Sequence, residues 1–228
     1  MKRERPVIAI DGPVGAGKST AARALARALG FSYLNTGAMY RAVAIAARAA
    51  GIAPEDADAQ ARLDPVLKAI GIRFAGERIF LNDREVTADI TAPEIGDLAS
   101  RFSALGAVRV RMRDLQRAAG ERGGVVMEGR DIGTAVFPDA EFKFYLDAGI
   151  NVRATRRYAE LAAKGVKITP EEVLNQLLER DRRDRGRELA PLKMATDAIA
   201  IDSTKMTIEE EVAAMKSEIA RRTSGSSP

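Results

Sequence analysis

"GPVGAGKST", Gly12 to Thr20, sits between a short apolar run and a long helix-forming one. It fits the pattern G-x-x-x-x-G-K-[ST]. Gly12, Gly15 and Gly17 let backbone N–H groups turn inward around a phosphate, and Pro13, Val14, Ala16 and Thr20 complete the loop. Lys18 opens the following helix and can reach the β- and γ-phosphates, while the Ser19 hydroxyl suits Mg²⁺. The N-terminus of that helix adds a field that favours anions. The context the motif needs is present: "PVIAIDG" reads as a buried strand before it, and "KSTAARALARALG" as a helix after it, stopping at Gly30. A bound nucleoside triphosphate with magnesium is therefore expected.

Working outward, strands and helices alternate. "FSYLN" is a second short strand and "AMYRAVAIAARAAG" a helix ending at Gly51; Val66 to Ile70 closes another helical stretch. "IRFAGERIFLNDREVTADI" instead alternates apolar and polar residues, with turn signals at Ala75-Gly76 and Asn82-Asp83, and predicts a small antiparallel hairpin or meander. Helical pattern resumes from about Pro93 to Arg122. "GGVVMEG" and "EFKFYLD" read as strands, "NVRATRRYAELAAKG" and "TPEEVLNQLLERDRRDRG" as helices, "DAIAID" as a last strand and "TIEEEVAAMKSEIARR" as a last helix. "TSGSSP" reads as a disordered tail. The expected fold is an α/β parallel sheet with helices on both faces. Residues 1–61 and 101–228 would form its core, with a lid at about 178–190 and a β-containing insertion at 62–100.

Composition narrows the chemistry. The chain of 228 residues is long enough for a core without staples. It has no cysteine and no histidine, so the work falls to carboxylates, Lys, Arg, hydroxyls and backbone amides. The net charge of +4 is mild, and acids and bases are mixed along the chain. With no Trp and few other aromatics, a nucleic-acid partner is not expected. No stretch approaches the ~20 apolar residues of a membrane span. A soluble, cytoplasmic protein is expected, and nothing in the sequence demands a partner, so a monomer is too.

Three further segments carry charge to the phosphate loop's side of the sheet. In "NTGAMYR", Thr36 can cap a helix and Arg41 follows it. "EGRDIGT" leaves the C-terminal end of a strand, where ligands sit in open parallel sheets, and brings Arg130 and Asp131. In "ERDRRDRGR", Glu179 to Arg187, the apolar stripe of Val173 and Leu177 continues at helical spacing as Arg180, Asp184 and Arg187, with Arg183 beside them. Inward charges are costly unless paired. Arg180 and Asp184 can pair, but the surplus positive charge suits a phosphate, and Gly186 offers a break at which a lid could swing. Magnesium triphosphate plus a nucleoside monophosphate carries about −4, which Lys18, Arg41, Arg130, Arg180 and Arg187 can offset. A phosphate acceptor is already ionised at pH 7 and needs no general base, which fits a chain without histidine.

These segments, with "FPDA", "APL" and "DST" (Asp202–Thr204), resemble the bacterial-type cytidylate (CMP) kinases, in family order over nearly the whole chain. The resemblance implies MgATP-dependent phosphorylation of CMP or dCMP. It implies that Lys18, Arg130, Arg180 and Arg187 are catalytic and that Thr36 lies in the substrate site. Arg41, Arg130 and Arg187 would clamp the CMP phosphate, and Arg180 and Asp184 would lie near the sugar. Ser100, Arg109 and Asp131 would read cytosine, a carboxylate accepting from the 4-amino group that uracil lacks. Val14, Asn35 and Arg182 depart from the family's common pattern. Two other readings stay open: a P-loop kinase of another acceptor, such as adenylate, thymidylate or shikimate, with Asp11, Glu128 or Asp131 as base, and a nucleotide-binding regulatory or nucleic-acid-binding protein.

Overall fold

The computed structural model describes residues 3–76 and 78–224. In chain order the elements are β1 (Val7–Asp11), α1 (Lys18–Leu29), β2 (Ser32–Asn35), α2 (Thr36–Ala49), α3 (Ala59–Ala69), β3 (Ile72–Ala75), β4 (Arg78–Leu81) and β5 (Arg84–Glu85). Then come α4 (Pro93–Phe102), α5 (Gly106–Gly120), β6 (Val125–Gly129), β7 (Phe142–Asp147), α6 (Ile150–Ala163), α7 (Pro170–Gly186), β8 (Ile199–Asp202) and α8 (Ile208–Ser224).

The chain divides into two compact units, residues 1–34 with 120–228, and residues 35–119. The first holds the large sheet, ordered β2-β6-β1-β7-β8. β1 lies between β6 and β7 and is parallel to both, with Ile8 opposite Val126 on one side and Phe142 on the other. Every residue of β1 is buried, so the sheet is covered on both faces there. One core joins Ile8, Ile10, Phe144 and Leu146 of the sheet to Leu25 of α1 and Met215 of α8. A smaller cluster, Leu161, Val173 and Leu177, joins α6 to α7, and Val14 of the loop packs against it. The unusual Val14 thus has an apolar seat.

The second unit holds the small sheet, ordered β3-β4-β5 and antiparallel, with Ile72 opposite Leu81 and Phe80 opposite Glu85. The Asn82-Asp83 turn takes positive φ at both residues, 47° and 66°, as a tight hairpin requires. This unit, 35–119, is wider than the 62–100 stretch marked out by the alternating pattern, because α2 packs on α3 and α4. The expected helix from Pro93 to Arg122 is two helices: α4 stops at Phe102 and α5 starts at Gly106, and in the break Ser103 Oγ donates to the Ser100 carbonyl at 2.7 Å. Of the expected tail, Thr223 and Ser224 belong to α8, and residues 225–228 lie outside the described residues.

Candidate active site

The loop after β1 has no room for a side chain at its first glycine. Gly12 has φ 148°, and a Cβ there would lie 1.9 Å from the Leu146 carbonyl oxygen. Gly15 has φ 79°, and a Cβ there would press on Arg153 at 3.1 Å. No side chain caps α1, whose N-cap is Gly17, so its first amides are left for an anion.

Lys18 is buried, and its ammonium donates to the Pro13 carbonyl across the loop at 2.6 Å. Burial, then the charge of Arg130, lowers it to about 7, against the pull of Glu128 and Asp11. Ser19 Oγ donates to Glu128 Oε1 at 2.6 Å, and the Tyr33 hydroxyl donates to the same oxygen at 3.3 Å. Asp11, at the end of β1, is pushed up to about 7 by burial although its carboxylate accepts from two amides, Ile132 N at 2.8 Å and Gly133 N at 2.7 Å. Those bonds tie β1 to the turn that carries Arg130 and Asp131.

The charged run on α7 meets the same unit. α7 starts with a full capping box, Thr169 with Glu172, and runs unbroken to Gly186. Asp184, 1% exposed, accepts from Arg130 Nε at 2.9 Å and also pairs with Arg187. Burial works to raise its carboxyl, but Arg130, Arg187 and Arg180 together hold it below the usual carboxylate range. Arg180 also acts electrostatically on Lys18.

The inward stripe differs from the expected one. After Val173 and Leu177 it continues through Asp181 and Asp184, and Arg180 is only half-buried. Asp181 lies four residues after Leu177, where a helix returns to the same face. It pairs with Arg153 of α6 at 2.8 Å, and Arg153 donates to the Ala148 and Val14 carbonyls at 3.0 and 3.1 Å. A second buried ion pair, not foreseen, thus links the phosphate loop to α7. Nothing in "NVRATRR" says which of its arginines turns inward. Arg182 is exposed on the opposite face.

The second unit carries the other expected residues. Thr36 is buried as the first residue of α2, but the cap is Asn35, whose Oδ1 accepts from Ala38 N at 3.1 Å. Asn35 caps because an N-cap side chain must precede the first turn, which Thr36 already occupies. The Arg41 guanidinium lies beside Gly96 of α4. Arg109, on α5, is buried, donates to the Ser103 carbonyl at 3.1 Å and stands over the Tyr40 ring at 5.9 Å. Ser100 is 4% exposed, and its Oγ has no hydrogen-bond partner. In the first unit, Asp131 is likewise buried.

A family model for cytidylate kinase matches residues 8–221. The chain belongs to the cytidylate kinase family. It is 49% identical over 220 residues to the cytidylate kinase of Geobacter sp. (strain M21), covering 95% of this chain and 93% of that one. It is 46% identical to that of Carboxydothermus hydrogenoformans, covering 94% and 97%. Among solved structures, an uncharacterized protein from Eubacterium ventriosum shares the fold at TM-score 0.52 and 15% identity, over 95% of this chain and 99% of that one. Family membership makes the chain a kinase, a phosphotransferase with nucleotide substrates. No helix among the described residues is long and apolar enough to cross a membrane.

The residues at the head of α1 fit a Mg²⁺ ion. The Ser19 hydroxyl and Glu128 carboxylate, 2.6 Å apart, are hard oxygen donors. Among the described residues no group of three or more acidic side chains is gathered to hold a metal. Mg²⁺ asks for only one or two protein oxygens beside phosphates and water.

Proposed function

We propose that the chain transfers the γ-phosphoryl group of MgATP to the phosphate of CMP or dCMP, giving ADP and the matching diphosphate, in pyrimidine nucleotide metabolism in the cytoplasm. What supports this reading most is the cluster of Arg130, Asp184 and Arg187 in the same unit as Lys18 and the phosphate loop. An oxygen of the acceptor phosphate forms the new bond to the γ-phosphorus, and the bond to the β,γ-bridging oxygen breaks, its electron pair leaving with ADP. The loop amides and Lys18 hold the β- and γ-phosphates. Arg130, Arg180 and Arg187 stabilise the charge on the oxygens in transfer. Magnesium, held through Ser19, neutralises charge on the β- and γ-oxygens when bound.

For the acceptor, Arg41, Arg130 and Arg187 are assigned to the CMP phosphate, and Arg180 and Asp184 to the region of the sugar, where the Asp184 carboxylate accepts from a ribose hydroxyl. Thr36 also belongs to this substrate site. Ser100, Arg109 and Asp131 are assigned to cytosine. The open Ser100 hydroxyl supports that assignment, since a buried polar atom without a partner suits a ligand. The second unit, with the 62–100 stretch inside it, carries the monophosphate-binding insertion, and 178–190 acts as the lid. An alcohol acceptor would want a carboxylate base, and both Asp11 and Glu128 are committed to donors of their own. The reading also takes the protein as a monomer without nucleic-acid partners.

The test is ADP formation from MgATP with CMP, dCMP, UMP, AMP and shikimate supplied separately. Rapid turnover is expected with CMP and dCMP, weak turnover with UMP and none with AMP or shikimate. Fast turnover with another acceptor, and not with CMP, overturns the proposal.

A further inference from the structure

The reaction above leaves one buried carboxylate behind the phosphate loop unused. Glu211 lies in the first turn of α8 and is 0% exposed. Neither of its oxygens accepts a hydrogen bond, and both lie 3.7 Å from where a Cβ on Gly17 would stand. Arg156 of α6 reaches the same spot, its Nη1 3.9 Å from that position. Arg156 donates to Ser203, Nη1 to the hydroxyl at 3.1 Å and Nη2 to the carbonyl at 2.8 Å. The Ser203 hydroxyl in turn donates to the Ala16 carbonyl of the loop at 3.1 Å. Glu211 is therefore buried beside the loop main chain, with no hydrogen-bond donor on its carboxylate among the described residues.

The loop presents Gly17 to Glu211, α6 presents Arg156, and the turn between β8 and α8 presents Ser203. Lys18, next to Gly17, directs its ammonium to Pro13 instead. Arg156 is the charged group that pulls on Glu211. Burial outweighs that pull and the pull of the nearby Ser203 hydroxyl, and pushes the carboxyl up to about 7. An ionised carboxylate on one side of the loop and a polyphosphate on the other repel through a medium of low polarity.

We propose that Glu211 is an electrostatic counterweight to the bound nucleotide: occupancy of the phosphate loop favours its protonated form, and its ionisation weakens nucleotide binding. The two effects are one coupling free energy and must be reciprocal. Glu211 acts through the loop and is a positioning residue for the donor's phosphates.

This rests on the loop holding a nucleoside triphosphate, and calorimetry separates the two ideas. Wild type, Glu211→Gln and Glu211→Val are titrated with a non-hydrolysable ATP analogue and magnesium at pH 6 and 8. They are also titrated at pH 7 in two buffers of different ionisation enthalpy, which counts protons taken up. At pH 8 the variants should bind ~tenfold tighter than wild type, and at pH 6 within about twofold. Wild type should take up more proton per nucleotide than either variant. Both variants should melt at or above the wild-type temperature at pH 8, because a buried charge without a donor has gone. If Gln fails to fold, Val carries the comparison. Equal proton uptake, or an affinity ratio independent of pH, overturns the proposal while leaving triphosphate binding intact. No binding by any of the three proteins overturns both.

Discussion

The two units bury their polar groups in different ways. In the first, two buried carboxylates of the site are matched by opposite charges, Asp184 by Arg130 and Arg187 and Asp181 by Arg153. In the second, the buried Ser100 hydroxyl has no hydrogen-bond partner among the described residues. The cost of leaving a group bare explains the difference. A buried charge that loses its partner costs about 3–5 kcal/mol. A bare hydroxyl costs about 1–3 kcal/mol, which a fold can bear and a ligand can return. On the proposed function, the first unit is wired for phosphate charge before any substrate arrives, and the second keeps a short-range donor and acceptor open. Removing a charge from the first should cost rate or stability. Removing the open hydroxyl from the second should cost selectivity alone.

The largest effect is expected at Lys18. Lys18→Met removes the ammonium we assign to the transferred phosphoryl group, and kcat should fall about a thousandfold in steady-state assays with CMP. A loss below tenfold would move the transfer away from this loop.

Asp184→Asn comes next. It strips Arg130 and Arg187 of their shared carboxylate, and chemical denaturation at pH 7 should show a loss of about 3 kcal/mol. The sign with pH follows from the depressed carboxyl. The stability Asp184 contributes is present above the ordinary carboxylate value of about 4 and disappears as pH falls through its lower folded value. The gap between wild type and Asn variant should therefore narrow as pH drops below about 4. A gap constant from pH 7 to pH 2 would mean that the charge of Asp184 does not matter.

Asp181→Asn is expected to be milder in rate and similar in kind. It unlatches Arg153, which still holds the Val14 and Ala148 carbonyls, so melting should fall by the equivalent of about 2–3 kcal/mol. Unchanged melting would show the link between loop and α7 to be idle.

Much of this was legible in the residues, and the limits have physical causes. The alternation of apolar strands and amphipathic helices predicts the parallel sheet, and the glycines of the loop announce its backbone. The hairpin at Asn82-Asp83 was readable because few residues tolerate positive φ there. The break at Ser103 was not, because apolar periodicity runs on either side and Gly106, just past it, is the sole punctuation in "SALGAV". The inward face of α7 was half-readable. Val173 and Leu177 mark it, but from Glu179 to Arg185 every residue is charged, so spacing alone cannot choose Arg180 over Asp181. Glu211 left no signal, since an acid in a helix's first turn reads as a solvated, dipole-friendly residue. Its burial comes from α8 packing on α1, a contact far apart in sequence.

The most direct test of the contrast between the units is the smallest of the expected effects: rates with CMP and UMP, side by side, for wild type and Ser100→Ala. The account predicts melting at or above the wild-type temperature, kcat on CMP within about twofold, and a CMP-over-UMP preference in kcat/KM reduced by roughly tenfold. An unchanged preference, or a collapse of kcat with the preference intact, would contradict it.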